Sequence, residues 1–133
     1  MHLPIRNNAL DLIVAFELVE HLDDPDLALH EFHRCLKNGG LLLLTTPTPK
    51  SPTASYPGHV SIRSRKAWMK ALESIGFTTK IVTYRYPVHI FPSKKLNHLI
   101  GALLGLYKRC FSITSTKLLC IKNDRRMHIN NVR

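Results

Sequence analysis

The sequence lacks a long apolar run, a paired-cysteine motif and a glycine-rich loop that opens a helix. No apolar stretch is long enough to span a membrane, and the amino-terminal residues do not have the basic-then-apolar order of a signal peptide. The chain of 133 residues has 3 widely spaced cysteines, an odd number that indicates neither a disulfide framework nor a CxxC metal pair. The cysteine pattern predicts a reducing cytoplasm, and the length with 44% hydrophobic residues predicts one small globular domain.

Acidic residues are scarce in the second half of the chain. Up to residue 60 there are 4 Lys and Arg against 7 Asp and Glu, whereas the remaining residues have 15 against 2. A basic half of this kind suits contact with nucleic acid, an anionic membrane surface or a phosphorylated substrate. Solubility, together with compensation for acidic segments that the chain lacks, is the simpler explanation.

What the chain does contain is a strand, helix and strand pattern between Asp11 and Pro47. The apolar run Leu12–Phe16 is too short for a helix and predicts a strand buried on both faces, as in a parallel sheet. The acidic pair Asp23-Asp24 followed by Pro25 then predicts the start of a helix, since Asp caps well and Pro fits the first helical position.

The predicted helix has one apolar face and a clear stop. Lys37 falls in its last turn, and Asn38-Gly39-Gly40 ends it because these residues tolerate positive φ. A second apolar run, Leu41–Leu44, predicts the next strand, so the segment is a βαβ unit with a right-handed crossover. The apolar helix face comprises Ala28, Leu29, Phe32, Cys35 and Leu36.

Further elements are predicted downstream. Ser64 caps a helix that Gly76 ends, and its apolar face comprises Trp68, Met69, Leu72 and Ile75. The segments 77–86 and 115–122 are predicted strands, the segment 93–110 is a predicted helix with an apolar stripe, and residues 123–133 form a basic tail. The helix 93–110 suits packing on the sheet, a membrane surface or a lid over an apolar substrate.

The segment ELVEH after the first strand gathers groups that can do chemistry. If the chain turns helically there, Glu17, Glu20 and His21 share one face, because they stand at positions i, i+3 and i+4. His59 follows the next strand and can close over the same edge of the sheet. Two carboxylates and two imidazoles suit a divalent cation such as Mg²⁺ or Mn²⁺.

Three stretches follow one another along the chain: LDLIVAFELVEHLDDPD, LKNGGLLLLTTPTP and HVSIRSRKAWMKALESIGF. Together they resemble the second half of class I S-adenosylmethionine-dependent methyltransferases of the type 11 and type 12 kind, and the likeness is close from Leu10 to Phe77. The resemblance implies an α/β, Rossmann-like methyltransferase fold over residues 1–122. Its partial sheet has about four strands with flanking helices, and its carboxyl-terminal edge is antiparallel, because the family's last strand lies between its two predecessors.

The sequence departs from the family in one respect. The glycine-rich loop after the family's first strand and the acidic residue that ends its second strand have no counterpart here. Gly39-Gly40 follows a helix rather than opening one. The chain is therefore expected to represent only the carboxyl-terminal half of a methyltransferase domain.

The resemblance also implies a cofactor and site residues. S-adenosylmethionine is expected beside Ala15, Phe16 and Glu17, although Phe16 is equally suited to core packing. Glu20, His21 and His59 are the expected catalytic residues.

For the same residues three roles remain open. Small-RNA 3′-terminal 2′-O-methyltransferases hold a metal with E-x-x-E-H and a later His, which implies Glu17, Glu20, His21 and His59 as ligands of Mg²⁺ or Mn²⁺. Alternatively, the residues shape a metal-free acceptor pocket and take a proton, or they make structural hydrogen bonds.

The resulting hypothesis is O-methyl transfer to a small-molecule acceptor, since Glu and His can take a hydroxyl proton. The alternative is a non-catalytic basic module that binds an anionic surface or a partner chain supplying the missing half. Because its usual neighbours are missing, the first strand is expected to have an uncovered edge through which the chain self-associates or binds that partner.

Overall fold

The computed structural model of the chain describes residues 2–82, 100 and 115–123. Contacts divide the chain into a unit of residues 1–82 and 114–133 and a unit of residues 83–113. No helix within the described ranges is long and apolar enough to cross a membrane. The first unit contains, in chain order, β1 (Leu10–Phe16), a 3₁₀ turn (Val19–His21), α1 (Pro25–Cys35), β2 (Leu36–Pro47), α2 (Arg65–Ile75), β3 (Phe77–Ile81) and β4 (Ser115–Lys122).

The strands of the described part form one sheet in the order β1-β2-β4-β3. β1 and β2 are parallel, with register pairs running from Leu12 opposite Leu41 to Phe16 opposite Thr45. β4 is antiparallel to both β2 and β3 and lies between them. This arrangement confirms the predicted Rossmann-like partial sheet, including the insertion of the last strand between its two predecessors.

The start of α1 follows the sequence prediction, but its end does not. Asp24 caps the helix by accepting a hydrogen bond from the Leu27 amide at 3.1 Å. The helix ends at Cys35, so the placement of Lys37 in its last turn was wrong. Leu36 already pairs with Leu10, and the next regular pair joins Leu12 to Leu41. Residues 37–40 therefore form a bulge in β2 rather than a helix stop, since four residues of β2 face one residue of β1.

The predicted α2 is confirmed at both ends. Ser64 accepts a hydrogen bond from the Ala67 amide at 3.2 Å, and Gly76 ends the helix in the left-handed region. β3 begins at Phe77 as expected and runs to Ile81. Residues 83–86 of the predicted strand, the helix predicted over 93–110 apart from Ile100, and the tail after Asn123 lie outside the described residues.

The hydrophobic core lies between one face of the sheet and helices α1 and α2. The predicted apolar face of α1 is buried throughout, as are Trp68 and Leu72 of α2. The core residues are Ala15, Val19, Ala28, Leu29, Phe32, Leu36, Leu42, Leu44, Trp68, Leu72, Phe77, Leu118 and Cys120.

β1 is only partly buried, although it pairs with the central strand β2. Ala15 is its one fully buried residue, and 39% of Val14 is exposed, so the interpretation of β1 as buried on both faces was wrong. Within the described ranges β1 pairs with β2 alone, which leaves its other edge uncovered. This uncovered edge agrees with the expectation that β1 lacks its usual neighbours on one side.

Candidate functional site

The chain reverses direction sharply where β1 ends. Glu17 has a φ of 47°, and its amide donates hydrogen bonds to the Thr45 carbonyl oxygen at 2.9 Å and to Thr45 Oγ1 at 3.2 Å. This backbone turn ties the end of β1 to the end of β2 and directs the 3₁₀ turn over the carboxyl edge of the two parallel strands. In open α/β sheets, ligands bind at that edge.

A loop from the far side of β2 closes over the 3₁₀ turn. The amides of Val60 and Ser61 donate to the backbone carbonyl oxygen of Glu20 at 2.8 and 3.0 Å. The His21 ring contacts the same loop, because Nδ1 lies 3.0 Å from the Gly58 carbonyl oxygen. These three hydrogen bonds place His59 beside Glu20 and His21.

Glu20, His21 and His59 form a compact group. Each offers one ligand atom, a carboxylate oxygen or a ring nitrogen, and these atoms all lie within 4.8 Å of one another. The two imidazole rings meet edge to face, with centroids 4.7 Å apart. The structure thus brings together three of the four residues that the sequence suggested for one site.

The Glu20 carboxyl group is buried without a partner. Its exposed fraction is 0%, and neither carboxylate oxygen has a hydrogen-bond partner in the described part of the chain. The same is true of His59 Nδ1. Buried polar groups in folded proteins are nearly always hydrogen-bonded, so unpartnered atoms on neighbouring side chains indicate a place where a ligand group binds.

Burial raises the pKa of the Glu20 carboxyl above its ordinary value of 4.5, and the nearby charge of Glu17 raises it further. The backbone amide of Glu20, the Thr46 hydroxyl and His21 act in the opposite direction but do not cancel the effect. A carboxyl with a raised pKa is a better proton acceptor when ionised than an ordinary surface Glu.

The hydrogen bond of His21 sets which of its nitrogens is available. Since a carbonyl oxygen can only accept, Nδ1 carries the hydrogen that is shared with Gly58, and Nε2 is left as the lone-pair nitrogen of the neutral ring. A ring oriented by a backbone carbonyl in this way is typical of histidines that bind a metal or accept a proton.

Glu17 lies apart from the three-residue group. Its positive φ precedes the 3₁₀ turn, so the helical i, i+3, i+4 arrangement does not extend back to it. It acts on Glu20 through its charge. Ala15 and Phe16, the other residues assigned to the cofactor, end β1 at the same edge, with Ala15 buried and Phe16 half-buried. The individual roles of these residues stay predictions.

Two features of the site were missed in the sequence. The hydroxyls of Thr46 and Thr116 are buried on the face that carries Glu20, and neither has a hydrogen-bond partner among the described residues. The signal for Thr46 was present as the polar pair Thr45-Thr46 at the end of an otherwise apolar strand. Thr116 gave no local signal, because only the register of β4 brings it to this edge.

The second missed feature is a brace between α1 and the loop that carries His59. Arg63 donates to both carboxylate oxygens of Asp26, at 2.7 and 2.9 Å, and its guanidinium lies 4.8 Å from the centroid of the Trp68 ring. Hydrogen bonding from Arg63 holds the pKa of Asp26 below its ordinary value. The brace fixes the end of the loop, because Trp68 is buried in the core.

Comparison with known proteins places this site in a family. Residues 5–82 match the model of a family described as a methyltransferase domain. A relative in Mycolicibacterium smegmatis, described as a probable S-adenosylmethionine-dependent methyltransferase, is 31% identical over 80 residues, which are 56% of this chain and 31% of that protein. The chain therefore spans less than a third of the curated relative that it matches.

Solved structures share the fold at low sequence identity. The YcgJ protein of Bacillus subtilis has a TM-score of 0.61 and 16% identity, over 92% of this chain and 68% of that one. A SAM-dependent methyltransferase of Archaeoglobus fulgidus has a TM-score of 0.59 and 20% identity, over 89% of this chain and 62% of that one. With its family match, sheet order and carboxyl-edge site, the chain belongs to the class I S-adenosylmethionine-dependent methyltransferase family.

Proposed function

We propose that this chain carries the acceptor side of an S-adenosylmethionine-dependent methyltransferase that methylates a hydroxyl oxygen of a small molecule. Family membership supports methyl transfer. The observation that carries the choice of oxygen is the buried, unpartnered Glu20 carboxyl within 4.8 Å of two imidazoles. A hydroxyl must lose its proton when it is methylated, and this group of side chains can receive that proton.

The cofactor and the acceptor occupy different parts of the carboxyl edge in this proposal. S-adenosylmethionine, when bound, supplies a methyl group activated by the adjacent sulfonium. Ala15, Phe16 and Glu17 at the end of β1 would hold it, and Phe16 could supply an apolar contact. The acceptor binds beneath the loop of His59, where Glu20 and His59 orient its hydroxyl.

The side chains contribute alignment and proton transfer. With the cofactor bound, the methyl carbon would exchange its bond to sulfur for a bond to the acceptor oxygen, and S-adenosylhomocysteine would leave. The hydroxyl proton would pass to Glu20 or to a neutral imidazole nitrogen of the group. Holding the two reactants in line accounts for much of the acceleration in such a displacement, and no protein nucleophile is required.

The experiment is a methyl-transfer assay with tritiated S-adenosylmethionine and matched alcohols, amines and carboxylic acids, preceded by calorimetric titration of the cofactor. We expect alcohols to be methylated, and the Glu20→Gln and His59→Asn variants to lose roughly 10²–10⁴-fold in kcat. His30→Asn is the matched control, because His30 is an exposed histidine of α1 outside the group. Full activity in Glu20→Gln, or a preference for amines, would overturn the assignment.

A divalent cation at the same group is a second candidate. Two imidazoles and a carboxylate within 4.8 Å suit Mg²⁺ or Mn²⁺, the Glu20 oxygens have no competing partner in the described ranges, and the His21 ring is already oriented by Gly58. There the cation would bind the acceptor oxygen and lower the pKa of its hydroxyl.

Calorimetric titration with Mn²⁺ tests this candidate without any turnover. If the group binds metal, Glu20→Gln and His59→Asn each weaken binding at least about tenfold, since removal of a ligand affects affinity directly, whereas His30→Asn does not. Weaker Mn²⁺ binding by Glu17→Gln would indicate the four-residue site of the sequence prediction, and unchanged binding would indicate a three-residue site. Equal Mn²⁺ binding by the chain and its Glu20→Gln variant would exclude the site.

A partner that completes the domain is a proposal supported by the uncovered edge of β1. The chain spans less than a third of its curated relative, and a neighbour of known structure was solved as a complex with the Trm112 methyltransferase activator of Haloferax volcanii. Self-association, or a second chain that pairs with β1, would cover that edge. Binding of the basic half to nucleic acid or an anionic membrane surface, and a cytoplasmic location, stay predictions.

A further inference from the structure

Beside Glu20, the sheet presents a second polar feature that proton transfer does not use. Thr46 in β2 and Thr116 in β4 are directly paired in the antiparallel register. Paired residues point to the same face, with their Cβ atoms about 4.5–5.5 Å apart. Both residues have an exposed fraction of 0%, and both hydroxyls lack a hydrogen-bond partner in the described part of the chain.

The strand pattern shows which face this is. Leu42 and Leu44 of β2, and Leu118 and Cys120 of β4, belong to the core beneath α1 and α2. Because side chains alternate along a strand, Thr46 and Thr116 continue these two rows at the carboxyl edge of β2. The Thr46 hydroxyl lies near the Glu20 carboxyl and lowers its pKa, but the two groups do not meet in hydrogen-bonding geometry. The core face therefore ends in a polar socket formed by Glu20, Thr46 and Thr116.

We propose that Thr46 and Thr116 form a subsite that binds a neutral hydroxyl group of the acceptor. This inference rests on the proposed function, since it concerns the same acceptor. A buried hydroxyl without a hydrogen bond is destabilising, which makes two such hydroxyls side by side unusual in a strand pair unless something binds them. A bound alcohol satisfies both, because its oxygen can accept from one threonine and donate to the other.

The surroundings favour a neutral group over an anionic one. The Glu20 carboxyl on the same face repels an anion, and a buried anion needs a cationic partner. The charged residue that neighbours Thr116 in β4 is on the opposite face, since Lys117 alternates with Thr116 and Leu118. The subsite is therefore expected to discriminate between an alcohol and the corresponding carboxylate.

The test uses nuclear magnetic resonance of the full chain with isotope-labelled threonine methyl groups. Benzyl alcohol and benzoate are the two probes, because they share a ring and differ in charge. We expect benzyl alcohol to shift the methyl signals of Thr46 and Thr116, and benzoate to leave them unchanged. Thr46→Val and Thr116→Val keep the shape but remove the hydroxyl, and each should weaken benzyl alcohol binding about 3- to 10-fold.

Matched controls separate a subsite from a structural effect. Thr46→Ser retains a hydroxyl and should restore binding to within about twofold of the original chain. Thr79→Val removes a hydroxyl of β3 that bonds to Glu73 at 2.6 Å, outside the socket, and should leave binding unchanged. If a valine variant does not fold, the methyl shifts of the unmodified chain still decide the question.

Three results would overturn the subsite: no shift with benzyl alcohol, equal shifts with benzoate, or unchanged affinity in both valine variants. The last would mean that the hydroxyls are satisfied by water. All of these readouts are independent of S-adenosylmethionine. A chain that binds alcohol at Thr46 and Thr116 but transfers no methyl group would refute the proposed reaction alone, whereas full methyl transfer in both valine variants would refute the subsite alone.

Discussion

At the residue scale, Glu20 and Glu31 show how the same side chain can act on stability in opposite directions. Glu20 is fully buried, and its carboxylate has no hydrogen-bond partner in the described part of the chain. Glu31 on α1 accepts hydrogen bonds from the Arg34 guanidinium at 2.8 and 2.9 Å and from the Leu3 amide at 2.9 Å. The pKa of Glu20 is raised by burial, and the hydrogen bonds from Arg34 and Leu3 lower the pKa of Glu31 to about 2.

Glu20→Gln should make the chain more stable near neutral pH. Because the folded-state pKa lies above the ordinary 4.5, ionised Glu20 costs free energy of folding at neutral pH, and this cost disappears as the pH falls through the raised value towards 4.5. The gain in the Glu20→Gln variant should shrink over the same range. Urea unfolding across a pH series measures it, and a gain independent of pH would contradict the burial argument.

Glu31→Gln is the matched contrast, and its effect should have the opposite sign. The lowered pKa means that ionised Glu31 contributes stability at neutral pH, which is lost as the pH falls from 4.5 towards about 2. The variant should therefore be less stable than the original chain near neutral pH and equally stable in strong acid. The same urea series tests it. Equal stability of the two chains at neutral pH would show that the network of Arg34 is not stabilising.

At the scale of single elements, the starts of both helices could be predicted from the sequence, but the end of α1 could not. Asp24 and Ser64 cap their helices as expected, because capping depends on one side chain and the nearest backbone amides. The end of α1 depends instead on Leu36, which pairs with Leu10 on a distant strand. No local signal reports that pairing. The two glycines after Asn38 therefore suggested a helix stop where the structure has a bulge.

Gly76 allows a quantitative test at this scale. It ends α2 at a φ of +111°, and a Cβ there would lie 3.1 Å from His33 Nε2. We expect Gly76→Ala to destabilise the chain by about 1–2 kcal/mol from backbone strain, with a further contribution from the contact with His33. Thermal unfolding of the variant provides the measurement.

Gly39→Ala separates the two contributions. Gly39 also has a positive φ, +76°, but nothing lies within 4 Å of a Cβ at that position. The Gly39→Ala variant should therefore have backbone strain alone, and it should lose less free energy of unfolding than Gly76→Ala. Adding Gly76→Ala to a His33→Ala chain should cost about as much as Gly39→Ala does. An equal loss for both glycine variants in the original chain would show that His33 moves aside freely.

At the scale of the whole molecule, the fold and half of the site could be predicted from the sequence. The βαβ unit, the antiparallel β4 and the approach of His59 to Glu20 and His21 all follow from motifs that keep their order along the chain. Thr116 could not be assigned, since the register between β2 and β4 brings it to Thr46 across a long stretch of chain. Pairings of this kind are decided by packing rather than by local sequence.

The edge of β1 carries a prediction about assembly. Within the described residues β1 pairs with β2 alone, and Val14 exposes 39% of its surface on this strand. Unpaired strand edges with apolar side chains favour pairing with another chain, and a lysine on such a strand opposes it. The chain should therefore self-associate as its concentration rises, and Val14→Lys should shift it towards the monomer in sedimentation experiments.

Leu27→Lys, at a residue of α1 that is 49% exposed, adds the same charge away from the edge and should leave the association unchanged. If both variants sediment like the original chain, association does not involve β1. A chain that stays monomeric at every concentration would show that this edge needs no partner.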